Sequence, residues 1–330
     1  MSKEEMLSAG EGKAWIGVDI GGTKTAVVLC AQPPTILARV EFPTLPEQGP
    51  KRALELIKKA IHDLIREHHG KIGRIEAIGV SCGGPLDRVT GIIQAPPNLS
   101  TWVDIPIRSF LQEEFGLVCR LENDANAGAI AEHRFGAGRG TQHMVFLTMG
   151  TGLGAGIIAD GRLYHGASDL AGEIGHVRLT RTGPIGHGKA GSVEGWASGA
   201  GIAVTAQREV AAAIGKGIPT SMSRLASNGP LTARDVAEAA RSGDKLARRI
   251  IRKTGTRLGE SLAILVDVLN PEVIVIGGLA MRLGESLLAP ARHVLEIEAL
   301  TASVKACRIV PAALGEEIGD IAAICVAMGF

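Results

Sequence analysis

A chain of 330 residues is longer than one small core requires, and at roughly 100–200 residues per domain it is read as two domains. Its 35 Lys and Arg against 34 Asp and Glu leave no broad field to draw in nucleic acid or an anionic membrane, so a small molecule is the expected partner. The opening MSKEEMLSAGEGK lacks the apolar core of a signal peptide, and no apolar run nears the ~20 residues of a membrane span, so a cytoplasmic protein with no membrane or nucleic-acid partner is expected.

In chain order, three β-type runs come first, AWIGVDI (14–20), TAVVLC (25–30) and TILARVEF (35–42), and the short gaps between them suit antiparallel neighbours. A helix is predicted from about Pro50 to His69, then a strand over Ile75–Ser81, an amphipathic segment over 106–115 and a strand over Leu117–Glu122. From Met144 the pattern restarts: MVFLTMG, a Thr-Gly-Leu-Gly turn, AGIIADG and RLYHG, with Asp160-Gly161 marking a tight hairpin. Helices follow at about 194–213, 231–242 and 244–269; Thr232 and Asp235 resemble a capping box, and Pro271 ends the last helix. A strand over 273–278, a helix near 285–297, a strand near 305–310 and a helix near 316–329 complete the chain, while 214–230 reads as a mobile loop. Cys30, Cys119, Cys307 and Cys325 sit in apolar, strand-like contexts and read as reduced core thiols; Cys82 stands apart beside Gly83-Gly84-Pro85.

Aligning Gly21 with Gly150 sets DIGGTKTAVVL against TMGTGLGAGII. A strand, a small-residue turn and a strand at the head of each half are the expected trace of a duplicated domain, with both turns facing a shared cleft. Glycine lets backbone N–H groups approach an anion and threonine adds a hydroxyl, so the two turns are candidates for gripping a phosphate tail from both sides; either one alone reads as a plain hairpin turn. Other phosphate motifs fail. GHGKAG (186–191) matches G-x-G-x-x-G in form, but polar RLTRTGPI precedes it where a buried strand is required. Gly183 and Gly188-Lys189 nearly complete a P-loop, yet Ala190 stands where a Mg²⁺-binding hydroxyl belongs.

Asp124 lies just beyond the strand LVCRLE and heads an Ala-rich helix, which places a carboxylate at a strand end. It reads either as a general base or, like Asn123, as a helix N-cap. Glu173 and His176 stand in a Gly-flanked turn, GEIGH, suited to sugar hydroxyls or to plain solvation.

Together, GVDIGGTKT (17–25), SCGGP (81–85), PNLSTW (97–102), ENDANAGA (122–129), TMGTGLGAG (148–156), GEIGH (172–176) and VIGGLA (275–280) resemble the ROK family of sugar kinases and related repressors over almost the whole chain. The resemblance implies an α/β fold of two RNase H-like (actin-like ATPase) lobes with a central interlobe cleft for ATP and sugar. The lobes would span 1–135 and 136–311, with a C-terminal helix about 312–330 packing back on the first. Carried over by position, Gly21, Gly22, Thr23 and Lys24 match the first phosphate turn, and Thr148, Gly150, Thr151 and Gly152 the second. Asp19 would hold Mg²⁺ through water, and Gly277 and Gly278 would lie against adenosine. Asn123, Asp124, Glu173, His176 and Glu194 match hexose-binding positions, with Asp124 the catalytic base and Gly84 and Asn98 completing the pocket. The implied activity is ATP- and Mg²⁺-dependent phosphorylation of a hexose, glucose to glucose 6-phosphate first, with N-acetylmannosamine, N-acetylglucosamine or fructose as alternatives and a homodimer or homotetramer as the assembly.

One departure stands out. Family members carry a zinc-binding C-x-C-G-x-x-G-C-x-E segment, whereas here Ile185, His187 and Ser192 occupy the cysteine positions while Gly188, Gly191 and Glu194 keep the frame. No structural zinc is expected, because His176 and His187 are too few ligands. Two rival readings remain: a sugar-responsive repressor, for which the stretch ahead of Gly17 is too short to hold a helix-turn-helix, and a non-catalytic sugar-binding protein, against which Asp124 and both turns argue.

Overall fold

The computed structural model describes residues 12–330; most of the opening segment scanned for a signal peptide falls in residues 1–11, outside the described residues. Contacts divide the chain into two compact units. One comprises the described residues up to Arg139 with Gly166–Asp169 and Leu314–Phe330, the other Gly140–His165 with Leu170–Ala313.

The first unit opens with β1 (Lys13–Ile20), β2 (Lys24–Gln32) and β3 (Thr35–Pro43), an antiparallel meander as the short gaps require. Helix α1 (Pro50–His68) follows, with Pro50 in its first turn. Its buried residues Ala53, Ile57, Ala60, Ile61, Leu64 and Ile65 recur every three or four positions, so one face joins Ile16, Val18 and Leu29 of the sheet in a single core. Then come β4 (Arg74–Cys82), the small hairpin β5 (Leu86–Asp87) and β6 (Ile92–Ile93), α2 (Ile107–Phe115), β7 (Val118–Asn123) and α3 (Asp124–Phe135). The sheet order is β3-β2-β1-β4-β7, and β4 and β7 run parallel to β1. Register sets Ile20 beside Cys82 and Cys82 beside Asn123, so the three parallel strands deliver their next residues along one edge of the sheet. Ligand-binding residues gather at such carboxyl ends.

The second unit repeats this plan. β8 (Met144–Met149), β9 (Leu153–Ala159) and β10 (Arg162–Leu163) form its meander, with Asp160 and Gly161 at φ 50° and 70° making the tight turn. A two-stranded knuckle, β11 (Ile185–Gly186) and β12 (Lys189–Ala190), leads into α4 (Val193–Ala197) and α5 (Gly199–Gly215). After α6 (Met222–Asn228) and α7 (Ala233–Arg241), which has a complete Thr232/Asp235 capping box, comes the long α8 (Lys245–Leu269), ended by Asn270 in the left-handed region before Pro271. β13 (Val273–Gly278), α9 (Leu279–Leu283), α10 (Glu285–Glu298), α11 (Thr301–Ala306) and β14 (Arg308–Pro311) complete the unit. Its sheet order, β10-β9-β8-β13-β14 with β13 and β14 parallel to β8, repeats the topology of the first sheet. The fold is therefore mixed α/β, built on two sheets of one design.

Helix α12 (Ile318–Met328) returns to the first unit, where residues 320 to 327 are buried throughout. It lies flat on β1 and β4 because those strands carry Gly17 and Gly79 beneath it; a side chain at Gly79 would collide with the backbone of Ala323 and Ala327.

Three local expectations fail. The segment read as a mobile loop holds α6, because Met222 is fully buried and Asp244 accepts hydrogen bonds from the hydroxyls of Thr220 and Ser221 at 2.8 Å each. The last strand begins only at Arg308, since Thr301–Ala306 is helical. Cys325 lies on α12 and Cys307 precedes β14, so neither is a strand residue, although all five cysteines are free thiols.

Candidate active site

In the first unit, the edge where the parallel strands end gathers that unit's predicted residues. Asp19 sits one residue before the end of β1, and Gly21 to Thr23 form the turn into β2. The turn is closed by Gly21 N–H donating to the Lys24 carbonyl at 3.0 Å, and Thr44 fastens it, its hydroxyl donating to the Gly21 carbonyl at 2.7 Å. Lys24 does not stand open: its Nζ is 2.8 Å from Glu41 Oε2. Asn98 abuts the turn, since a Cβ on Gly22 would lie 2.8 Å from that of Asn98, and a Cβ on Gly84 would lie 3.1 Å from Asn123 Nδ2. The segments GGTK, CGGP, PNLS and ENDA thus meet at one edge.

Asn123 is the N-cap of α3, its Oδ1 accepting from Ala125 N–H at 3.0 Å. Asp124 is the first helical residue, and its Oδ1 accepts from the same N–H at 2.8 Å. Asn123, as N-cap, and Asp124 thus share one N–H, and only Oδ1 of the Asp124 carboxylate is engaged in this bond. Behind them, Glu122 Oε1 accepts from Asn123 N–H at 2.9 Å and from Asn126 Nδ2 at 3.0 Å, holding the turn rigid. Asp124 keeps a solvent-accessible face yet is ringed by protein atoms, and this desolvation raises its pKa, against the lowering effect of the Ala125 N–H. Asp19 is pushed from 3.8 to about 7, first by desolvation and then by the charges of Asp124 and Asp320, with Lys24 and Arg39 opposing. Sequence reasoning missed the groups that α12 brings here. Asp320 takes the Arg39 guanidinium at 2.7 Å, and Gly319 packs so tightly that a Cβ there would fall on the Asp19 carboxylate. Cys82 is fully buried and its thiol is pushed far up by desolvation and then by the two carboxylates, so it is inert.

In the second unit, Thr148 sits one residue before the end of β8, and Gly150 to Gly152 form the turn into β9. Gly150 N–H donates to the Gly152 carbonyl at 3.0 Å. The N-terminus of α5 backs this turn: Gly199 N–H donates to the Gly150 carbonyl at 2.9 Å and Ala200 N–H to the Thr151 carbonyl at 3.1 Å. The positive end of a 17-residue helix therefore lies behind the glycines, which favours an anion in front of them. Gly277 pairs with Thr148 and Gly278 with Met149, which sets the adenosine candidate beside the phosphate candidate. Gly278 has φ 69°, and a Cβ there would strike the Met149 carbonyl, so glycine is required.

Glu194 joins the same cluster, and Gly175, between Glu173 and His176, packs against the Leu153 carbonyl and the Glu194 side chain. GEIGH forms one 3₁₀ turn, Ile174–His176, rather than an irregular loop, with Glu173 and His176 exposed. Glu194 lies in the first turn of α4, and its Oε2 accepts from Leu153 N–H at 3.1 Å; a Cβ on Gly152 would lie 2.8 Å from that oxygen. The knuckle positioning Glu194 is knit from its own groups. Ser192, fully buried, caps α4 by accepting from Gly195 N–H at 3.1 Å, Trp196 Nε1 donates to Thr180 Oγ1 at 2.8 Å, and Lys189 Nζ donates to the His176 carbonyl at 2.9 Å. Lys253 and Arg257 cover the Trp196 ring, 4.8 and 5.2 Å from its centre.

No helix among the described residues is long and apolar enough to cross a membrane. The ROK family model matches residues 15–328. A glucokinase from Halalkalibacterium halodurans is 34% identical over 313 residues, 93% of this chain and 92% of that protein. A xylose repressor from Caldicellulosiruptor bescii is 31% identical over 242 residues, 73% of this chain and 58% of that protein. Among solved structures, a ROK family glucokinase from Streptomyces griseus in complex with glucose and AMPPNP is 30% identical with a TM-score of 0.76, covering 96% of this chain and all of that one.

Proposed function

The chain belongs to the ROK family and has the actin-like ATPase fold of its sugar kinases, and we propose that it is a cytoplasmic ATP-dependent hexose kinase that converts glucose to glucose 6-phosphate. The observation that carries the reading is Asp124: a carboxylate that shares the Ala125 N–H with the N-cap Asn123 and is made more basic by desolvation, at the strand edge shared with the Gly21–Thr23 turn. A raised pKa brings a base closer to working pH, where it takes a proton most effectively. Asp124 accepts the proton of the sugar hydroxyl as that oxygen attacks the terminal phosphorus of ATP. Asn98, Asn123, Glu173, His176 and Glu194 hold the other hydroxyls, with Gly84 leaving room for them. The backbone N–H groups of Gly21–Thr23 and Gly150–Gly152 receive the phosphate tail, and Gly277 and Gly278 face the adenosine. Nearly all of the catalysis asked of the protein is then positioning and charge stabilisation.

The residues suit Mg²⁺ delivered with the nucleotide. Among the described residues no group of three His, Cys, Asp or Glu side chains could hold a metal ion, and Mg²⁺ in such sites keeps several waters and needs only one or two carboxylates beside phosphate oxygens. Asp19, raised to about 7 first by desolvation and then by the charges of Asp124 and Asp320, is such a carboxylate. When bound, Mg²⁺ would neutralise charge on the transferring phosphoryl group.

The test is a panel of hexoses and N-acyl amino sugars with ATP and Mg²⁺, read by sugar-dependent ADP release. Glucose is expected to give the highest kcat/KM, and no turnover with any sugar would defeat the proposal. The xylose repressor's 31% identity favours one competing reading, a sugar-responsive binding protein. Saturable sugar binding without ADP release would decide for it.

A further inference from the structure

The last turn of α3 carries a carboxylate with no part in the proposed reaction. Glu132 is fully buried, and its two oxygens accept backbone N–H groups from distant parts of the chain: Oε2 from Ala137 at 2.7 Å and Oε1 from Leu314 at 2.9 Å. Its own carbonyl accepts from Gly136 and Gly138 N–H at 3.0 Å each, so the turn after α3 folds around this residue. Gly136 permits the arrangement, since a Cβ there would fall on Glu132 Oε2.

Ala137 and Leu314 are not ordinary loop positions. The chain first leaves its first unit after Arg139 and returns to it for the last time at Leu314. One carboxylate therefore fastens the first exit and the final re-entry. Only an acceptor on both arms can take both N–H groups; the amide of glutamine turns one arm into a donor and sets it against an N–H. The two N–H groups are part-buried and the carboxylate wholly buried, so a lost bond is costly and the identity of this side chain matters.

We infer that Glu132 is a positioning residue, a staple that fixes the end of α3 to the segment entering α12 and so holds Asp124, on the one helix, and Gly319 and Asp320, on the other, in place around Asp19 for phosphoryl transfer. The inference rests on the kinase reading in one respect, that Asp124 is the base of the transfer. In-line transfer loses on the order of 10²-fold for a misplacement of about 1 Å, whereas substrate binding tolerates it better.

Glu132→Gln and Glu132→Asp test the staple by kinetics and by amide hydrogen exchange. Glu132→Gln is expected to lower kcat by about tenfold or more while KM for ATP stays within about threefold. The Ala137 and Leu314 amides should lose protection together, by about tenfold or more, while those of β1 and β8 keep theirs. Glu132→Asp keeps two acceptor oxygens on a shorter stem and should restore part of both losses. A folded Glu132→Gln enzyme with wild-type kcat, or unaltered exchange at Ala137 and Leu314, would overturn the inference. Should Glu132→Gln fail to fold, the wild type decides: the two amides should share one protection factor, and clearly different values overturn the staple. Failure of the wild type to turn over ATP with any sugar would sink the kinase reading alone, because the exchange result still judges the staple.

Discussion

Asp19 is held in a state that opposes folding, and Asp19→Asn should reveal it as a stability difference that grows with pH. Desolvation raises its pKa from 3.8 to about 7, helped by Asp124 and Asp320. The folded protein therefore binds this proton more tightly than the unfolded chain does. Whatever the protonated carboxyl contributes is fully present below the unfolded value near 3.8 and is lost as pH rises through about 7. At about 1.4 kcal/mol per pH unit, a rise from 3.8 to about 7 amounts to about 4 kcal/mol. The side chain keeps partial access to solvent, and water screens part of the repulsion, so about half, ~2 kcal/mol, is expected to survive. Asparagine does not titrate. Denaturant unfolding of both proteins should show the variant gaining about 1–2 kcal/mol on the wild type between about pH 4.5 and about pH 8, while its kinase rate falls. A stability difference that stays constant over that range would refute the reasoning, as it would mean that Asp19 ionises in the folded protein as freely as in the unfolded one.

What the sequence disclosed about this site depended on how local the relevant chemistry is. Both glycine turns were legible as turns because glycine and threonine between two apolar strands define a turn within about a dozen residues, and their repetition announced the shared topology of the two sheets. Asp124 was legible as a strand-end carboxylate, but its sharing of the Ala125 N–H with Asn123 was not. The surroundings of Asp19 were hidden because Gly319 and Asp320 arrive from the other end of the chain on α12, where they read only as a helix start. Glu132 was hidden for the same reason, its partner Leu314 lying 182 residues away. α6 was missed because a Gly- and Pro-flanked stretch looks like a loop until Asp244 supplies bonds to Thr220 and Ser221 and Met222 is buried. Periodicity and turn composition report local preference, whereas a buried polar partner is a tertiary fact.

Asp124→Asn should leave sugar affinity within about threefold while lowering kcat by at least about 10²-fold, the usual effect of losing a general base; near-normal turnover would remove Asp124 from that role. Gly278→Ala should cost about 2–4 kcal/mol in denaturant unfolding, because alanine meets both φ 69° and the Met149 carbonyl; a change below about 0.5 kcal/mol would mean that the β8 and β13 ends yield easily. The knuckle before α4 should need no zinc. Where the family's zinc segment has thiolates, this chain has Ile185, which cannot coordinate and is 65% exposed, His187, whose ring meets that of His176 edge-on with centres 6.0 Å apart, and Ser192, whose hydroxyl already caps α4. Two imidazoles fall short of the four ligands usual in a structural zinc site. Bonds that span the same loop should do the work of the metal: Trp196 to Thr180, Lys189 to the His176 carbonyl, and Leu179 N–H to the Gly191 carbonyl at 2.9 Å. Trp196→Phe keeps the ring but removes its bond to Thr180, so it should lower stability by about 1 kcal/mol and raise KM for the sugar through Glu194. A zinc-selective chelator in excess Mg²⁺ should leave Tm and kcat unchanged in both wild type and variant. Stoichiometric zinc in the purified protein, with activity lost on its removal and regained on its return, would show that the loop is held by metal and not by these bonds.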